Sequence, residues 1–382
     1  MFNKYMNNML SAYNNNHNNY YILSCNNNKN RQNSMNMTYS NRLQLPFDFN
    51  PAQTVYKEVK SDNVITSGEN ITTSIVKNNV FFRNLSYSFK QLMGDRLIDF
   101  NSSSATLIKQ QDGFMMNVRS VNYHLDNQGK SSHIKGDKTV TLNKLLFLDE
   151  ETNIINSKNI ITDITKHPYC GVEDVRLFPF NNDTYFIGSS FNPKTNKIGI
   201  VSDILNVGGH KFEQRYITPS FKTTNKWEKN WVFFANSSGE LNVIYKWYPL
   251  YICKIDYGTN KLELIKQNDT VPVLFTKFRG STCGIEYENK IWFITHFVET
   301  TTKSTRNMCG KNRYLHCFVV FDKDMNLLGY SAPFNFENYL VEYCIGMTVN
   351  KSKFVITYST LDSTTKMAMF TSEYVNSLII HS

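Results

Sequence analysis

From about residue 100 onward, apolar positions come in short runs rich in Phe, Tyr, Val, Ile and Thr, broken by Asn, Asp, Gly and Ser. Aromatic and β-branched runs of this length suit pleated strands, and the breaks carry turn formers. One arrangement returns five times: a run, a polar turn and a second run. The copies are "SATLIKQQDGFMMNVRSVNY", "DVRLFPFNNDTYFIGSSF", "WVFFANSSGELNVIYKWYPL", "STCGIEYENKIWFITHFVE" and "CIGMTVNKSKFVITYSTLD". Their turns hold Asp112-Gly113, Asn181-Asn182-Asp183, Ser237-Ser238-Gly239, Glu288-Asn289 and Asn350-Lys351, all suited to hairpins. Successive copies lie about 50 to 70 residues apart, the period of a propeller blade with variable outer strands. The pattern therefore predicts an all-β fold, a five-bladed β-propeller over residues 95–382. A β-sandwich is the rival, because turn signals fit both folds.

A polar cluster precedes or opens each first run: Asn101-Ser102, Glu173-Asp174-Val175-Arg176, Glu228-Lys229-Asn230, Arg279-Gly280-Ser281-Thr282 and Glu342-Tyr343. Charged groups are costly to bury beside a core, so their repeated placement asks for a reason. The innermost strands of a propeller all run the same way along the axis, and in-phase clusters would converge on one central funnel. Each returning run adds a second set about 15 to 18 residues later: Arg119, Ser189-Ser190, Lys246-Trp247, His296, and Tyr358 with Asp362 nearby.

The leading segment differs. Fourteen of the first forty residues are Asn, and such a tract has too little apolar surface to offset the entropy of ordering. Residues 1–45 are therefore expected to be disordered, and 46–94 to be an extension packing on the propeller. The Asn, Lys and Ile bias fits an AT-rich genome. The formal charge of +9 is spread without blocks of like charge, which argues against a nucleic-acid partner. No apolar stretch reaches the roughly 18 residues that span a bilayer, and the polar start lacks the h-region of a signal peptide. A cytoplasmic protein without a membrane span is expected. Seven cysteines without CxxC spacing are expected to be reduced thiols.

A funnel of carboxylates, cations and aromatic rings has the chemistry of a sugar site. Carboxylates hold hydroxyls and protonate a glycosidic oxygen, rings stack on the sugar, and cations hold phosphate. Asp174 is the candidate acid. Asn101, Arg119, Glu173, Arg176, Trp247, Glu342, Tyr343 and Asp362 are candidates for holding the sugar, Trp247 and Tyr343 as stacking walls. Lys229, Asn230, Arg279 and His296 are candidates for holding phosphate. Walker, zincin and nucleophile-elbow motifs are missing, the histidines lack metal-ligand spacing, and no metal is expected. His316 beside Cys317 reads as a strand residue next to a buried thiol.

At these residues the chain resembles a known family. "GVEDVRLF" is similar to the Glu-Asp-x-Arg signature of glycoside hydrolase family 130, the mannoside phosphorylases, and of related propeller mannosyltransferases. "EKNWVFF", "LNVIYKWYPL", "FRGST", "WFITHF", "RYLHCFVVFD", "APFNFE" and "VEYCIGM" look more like a glycosyltransferase-like branch of propeller proteins. The resemblance spans roughly 95–380. It implies an inverting phosphorylase or glycosyltransferase in which Asp174 relays its proton through a sugar hydroxyl while phosphate attacks the anomeric carbon. Asp362 then matches a sugar-binding Asp, and His296 and Lys229 fall near phosphate-binding positions. No cofactor is implied beyond inorganic phosphate or a nucleotide sugar as co-substrate. Val175 stands where the signature has Pro and Ser359 where it has Gly, so transfer, hydrolysis and a non-catalytic glycan-binding propeller stay open beside phosphorolysis.

Overall fold

The computed structural model describes residues 54–55, 73–93, 95–126, 131–133, 138–162, 169–209, 211–300 and 312–381. The Asn-rich segment 1–45 lies outside the described residues. Among them, helical structure is limited to the turns Ile75–Asn78 and Val273–Lys277 and the short helix Ser372–Ser377. The fold is all-β. Cys253, Cys283, Cys317 and Cys344 are buried thiols outside any disulfide, and Cys170 is buried as well.

The strands run as successive antiparallel meanders. The first is Arg96–Gln110, Gly113–Val121, Thr139–Leu148 and Ile154–Ile160, and the second Glu173–Phe180, Asp183–Asn192, Lys197–Ile204 and Tyr216–Pro219. The third is Val232–Ala235, Leu241–Trp247, Leu250–Asp256 and Lys261–Asn268. In the fourth, Arg279–Gly280 and Ile285–Tyr287 share the partner Lys290–Thr300, followed by Asn312–Phe321 and Leu327–Ser331. The fifth is Glu342–Asn350, Lys353–Thr360 and Lys366–Thr371, joined by Phe81–Asn84 and then Thr54–Val55 from earlier in the chain. Hydrogen bonding does not keep all five apart: Thr218 and Pro219 pair in parallel with Lys261 and Leu262, fusing the second and third meanders into one eight-stranded sheet.

Turn chemistry explains the hairpins. Asn181 and Asn182, Glu288 and Asn289, and Lys351 and Ser352 each have both residues at positive φ, the backbone twist that two-residue hairpins favour. The last turn lies one residue later than the expected Asn350-Lys351, because Asn350 still pairs with Lys353. Likewise Gly113 opens the returning strand by pairing with Gln110. At its φ of 148° a Cβ would sit 1.9 Å from the Leu148 carbonyl oxygen, so only glycine fits.

Alternation buries both faces of the strands. Ile291 and Phe293 pack toward the third meander with Val232, Phe234 and Ile244, while Trp292 and Ile294 pack toward the fifth with Phe354 and Ile356. Val175 and Phe186 meet Ile108 and Leu145 of the first meander, and Phe178 and Ile187 meet Trp231 and Phe233 of the third. Leu107 and Met116 of the first meet Val355 and Met367 of the fifth, so the packing returns to its start. Each fully buried Phe or Leu supplies about 1.5–3 kcal/mol of this cohesion.

The inner strands are interrupted near one end. An extra residue enters the ladder between Ser102 and Ala105, between Glu173 and Arg176, and between Cys344 and Gly346. In the fourth meander the N–H groups of Ser281 and Thr282 both donate to the Ile294 carbonyl. Such bulges end regular pairing and re-aim side chains, and they favour the rims of sites.

Candidate active site

The bulge in the second meander sets Asp174 at φ 53°, and its side chain leaves the plane of the ladder. Asn230 at 64° and Asp362 at 49° share this left-handed conformation, which Asn and Asp tolerate best among non-glycine residues. Three polar side chains are thus presented by unusual backbone where inner strands break.

Direct bonds join them. Arg119 Nη1 donates to Asp174 Oδ1 at 2.9 Å, and its Nη2 donates to the Tyr123 hydroxyl at 3.1 Å and lies 3.7 Å from Glu173 Oε1. Lys229 Nζ reaches Glu173 Oε2 at 3.4 Å. The Tyr123 hydroxyl donates to Asp362 Oδ2 at 3.1 Å, and Ser103 Oγ is 3.4 Å from Asp362 Oδ1. The Tyr343 hydroxyl has one proton to share between Asp174 Oδ2 at 3.2 Å and Asn230 Oδ1 at 3.1 Å. Side chains from all five meanders enter or border this cluster, the fourth supplying His296, whose ring meets Tyr343 edge-on at 5.2 Å.

Arg176 answers why an Arg stands beside the core. The break after Gly280 leaves carbonyls without ladder partners, and buried carbonyls need donors. Arg176 supplies them: Nε donates to Ser281 O at 2.6 Å, Nη2 to Gly280 O at 3.2 Å and to the Tyr343 hydroxyl at 3.0 Å, and Nη1 to Asp174 O at 2.8 Å. At 1% exposure it is a clamp under the site rather than a sugar-holding group.

Electrostatics separates the two aspartates. Burial alone would raise Asp174, but Arg119, Arg176 and Lys229, with the Tyr343 hydrogen bond, hold its carboxyl below the ordinary value. With its ion pair to Arg119, the carboxylate is the form of Asp174 that this setting favours. Burial raises Asp362; Arg119 opposes this, while Asp174 and Glu173 reinforce it. Burial, then His316, Arg279 and Arg176, push His296 well below the usual imidazole value, and its Nδ1 is 2.8 Å from Ser281 Oγ. A neutral His296 brings no positive charge to an anion.

Other expected residues lie elsewhere. Trp247 is buried against Phe275, Phe293 and Phe321 in the core between the third and fourth meanders, so it is no stacking wall. Tyr343 is the hydroxyl hub described above and not an open ring face. Glu342 turns away to accept the backbone N–H groups of Phe336, Glu337 and Tyr339. Asn101 pairs within its sheet with Ser88 and Val121, and no side-chain hydrogen bond joins it to the cluster. Arg279 is exposed opposite His296, with no ion pair among the described residues. Tyr123, Ser103 and Tyr314 were missed. Burial and then Asp362 raise the Tyr314 phenol, and its ring stacks on His296 at 6.0 Å.

A cavity of about 240 Å³ lined by Phe180, Tyr185, Phe233 and Tyr257 lies at the other end of the sheets. Phe180 is seven residues along the strand from Glu173, about 20 Å away at strand rise. Among the described residues no group of three or more His, Cys, Asp or Glu is placed to hold a metal ion, and no helix is long and apolar enough to cross a membrane.

No protein-family model matches the chain, and no curated protein matches it in sequence. Its structure is similar to solved carbohydrate-active proteins. A β-1,2-mannobiose phosphorylase from Listeria innocua, solved with β-1,2-mannobiose, is 10% identical, with 73% of this chain and 93% of that one covered at a TM-score of 0.46. A glycosyl hydrolase from Bacteroides ovatus is 10% identical over 71% of this chain and 84% of its own, at 0.48. A GDP-Man-dependent mannosyltransferase from Leishmania mexicana is 13% identical over 71% and 85%, at 0.45. At TM-scores below 0.5 and such identities these likenesses carry no argument, and fold and chemistry have to come from the strands and the site themselves.

Proposed function

We propose that the chain is a five-bladed propeller that makes or breaks mannoside-like bonds with inversion, using Asp174 and its neighbours as the active site. The return of the packing from the fifth meander to the first supports the ring, since a two-layer sandwich would bury one face of each sheet rather than both. One observation carries the chemistry: Asp174 stands on a left-handed bulge, fixed by Arg119 and Tyr343, at the meeting point of the inner strands. Held as a carboxylate, it orients a sugar hydroxyl and stabilises positive charge growing at the anomeric carbon. Glu173 and Asp362 supply further acceptors for sugar hydroxyls. Lys229 and the exposed Arg279 form the basic rim for inorganic phosphate or the diphosphate of a nucleotide sugar, with Asn230 and a neutral His296 as hydrogen-bonding partners.

Purified protein is to be screened with mannose 1-phosphate and with GDP-mannose against assorted acceptors, in wild type and Asp174→Asn. The variant is expected to fold normally and lose turnover by roughly 10²–10⁴-fold. Undiminished turnover would remove Asp174 from the mechanism. A second reading, a non-catalytic glycan-binding propeller, is favoured by the ion pair that leaves Asp174 without a proton. It predicts a calorimetric signal on adding mannosides and no product from either donor.

A further inference from the structure

We propose that the cavity between the second and third meanders, at the end of the sheets away from Asp174, is a second carbohydrate site that holds one pyranose ring of a neutral glycan without acting on it. Its walls are aromatic and aliphatic. Phe180 and Tyr185 come from the second meander, Phe233, Leu241 and Ile255 from the third, and Tyr257 from the turn after Asp256. Phe233 is fully buried, whereas Phe180, Tyr185 and Tyr257 stay partly open to solvent. Rings left partly open around one hollow, rather than scattered singly, mark a place that takes a ligand.

The boundary that carries the cavity is the one that hydrogen bonds close. Thr218 and Pro219 pair with Lys261 and Leu262, and Ile217 and Leu262 belong to the same buried cluster as Phe233. The Tyr257 ring is pinned as well. Its hydroxyl lies 3.0 Å from Ser202 Oγ, and the Arg215 guanidinium sits 5.8 Å from the ring centre. Arg215 is itself tied to Asp203 at 3.0 Å and donates to Tyr257 O at 2.7 Å. The walls are thus set before a ligand arrives, which spares the cost of ordering them on binding.

Size, charge and polarity narrow the occupant. About 240 Å³ is below the roughly 300–1,000 Å³ of sites for drug-sized molecules, which leaves room for a single ring. Glu240 and Lys254 line the cavity as an ion pair at 2.9 Å, so its lining has no net charge that would select an ion. The Tyr185 hydroxyl has no hydrogen-bond partner among the described residues. A wholly apolar occupant would strip water from it and offer nothing in return. Flat bases are poorly served too, because the walls are not parallel: Tyr185 meets Tyr257 at 42°, Phe180 at 72° and Phe233 at 74°. A neutral, puckered ring with C–H groups on its faces and hydroxyls around its edge meets all these conditions. Its faces lie on the aromatic walls, and its hydroxyls find an acceptor in Glu240, a donor in Lys254 and either in Tyr185.

Photoaffinity labelling of the full chain tests this site without any turnover. Methyl mannoside, glucoside and galactoside, each carrying a diazirine, are irradiated with the protein, and the marked residues are mapped by mass spectrometry. At least one probe is expected to mark residues 180–185, 233–241 or 254–257, and excess of the untagged methyl glycoside is expected to suppress that mark. No mark there, or one that the glycoside leaves in place, would overturn the proposal. Suppression by phenol or adenosine but not by a glycoside would overturn it too, by assigning the cavity to a flat aromatic ligand. Leu241→Trp fills the hollow and is expected to abolish the cavity mark while sparing any mark near Asp174; a cavity mark that survived would overturn the proposal. Should that variant fail to fold, Tyr185→Phe removes the open hydroxyl alone. It is expected to raise the glycoside concentration for half-suppression roughly two- to tenfold, and an unchanged value would overturn the proposal. A mark at the cavity and none near Asp174 would uphold this site while counting against the proposed active site, so the two readings fail separately.

Discussion

Arg176 governs the site from beneath without reaching it. Replacing it with Met strands the carbonyls of Gly280, Ser281 and Asp174, each worth about 1–3 kcal/mol when buried without a donor. Arg176→Met is therefore expected to lower stability by at least about 3 kcal/mol, read as a fall in the urea midpoint. By contrast Lys229→Met breaks a partly buried, 3.4 Å pair with Glu173 worth about 1 kcal/mol and should lower the midpoint far less than Arg176→Met while weakening binding of inorganic phosphate. The aspartates give opposite pH signs. Asp174, lowered on folding, adds stability that is present above the unfolded value of about 3.9 and lost as pH falls through its folded value. Asp362, raised on folding, adds stability that is full below about 3.9 and lost as pH rises through its folded value. Tyr343→Phe removes a hydrogen bond that lowers Asp174, so acid unfolding of that variant should begin at higher pH than in wild type. At this scale, the sequence pattern picked out several residues that the structure brings into one cluster. Asp174, Glu173, Arg119, Asn230, Lys229 and Asp362 could be read because charge beside a core is rare and recurred in phase. Trp247 and Glu342 were misread because phase along a strand does not say whether a side chain meets the axis, the next sheet or a neighbouring loop. Tyr123 and Tyr314 were hidden in a chain where Tyr is common and a hydroxyl's partners lie far away in sequence.

Among the elements, hairpins were readable and bulges were not. Asn-Asn and Glu-Asn turns announce themselves through residues that tolerate positive φ, whereas one extra residue in a ladder leaves composition and alternation almost untouched. Yet the bulges decide where the inner strands stop and which groups they release. The parallel pairing that fuses the second and third sheets was equally invisible, since it rests on backbone contacts between Thr218–Pro219 and Lys261–Leu262. Gly280 shows how tightly the break is built. A Cβ there would lie 2.4 Å from the Asn230 carbonyl oxygen and 2.7 Å from Val232 Cγ1. Since a backbone atom cannot rotate aside, Gly280→Ala is expected to cost about 1–3 kcal/mol and to push Asn230 from the Tyr343 hydroxyl. Thermal unfolding would read the first effect and phosphate binding the second.

At the scale of the molecule, the fifth sheet is continued by Phe81–Asn84 and then Thr54–Val55, with Arg83 paired opposite Met367 and its guanidinium bonded to Thr152 of the first meander. Ser88–Met93 then joins the first sheet through Arg96–Gln110. Thr73–Ser74 pairs in parallel with Phe334–Asn335 of the fourth sheet, so the described part of the segment expected to pack on the propeller is woven into three sheets, which hydrophobic pattern alone did not reveal because the pairing spans most of the chain. A protein lacking residues through Asn84 leaves Lys366–Thr371 with an open edge, a template for association. It is expected to elute as aggregate in size-exclusion chromatography, where the full chain elutes as a defined species.

That clasp has a temporal side. Phe81–Asn84 leaves the ribosome early, with only the two residues Thr54–Val55 to pair with, and Lys366–Thr371 follows nearly three hundred residues later; long-range pairing of this kind is slow to form. Tyr343 and Asp362 belong to the same late-made portion. A growing chain can accumulate packed sheets during translation, yet the carboxylate cluster lacks two of its members until Tyr343 and Asp362 have been made and docked against the earlier sheets.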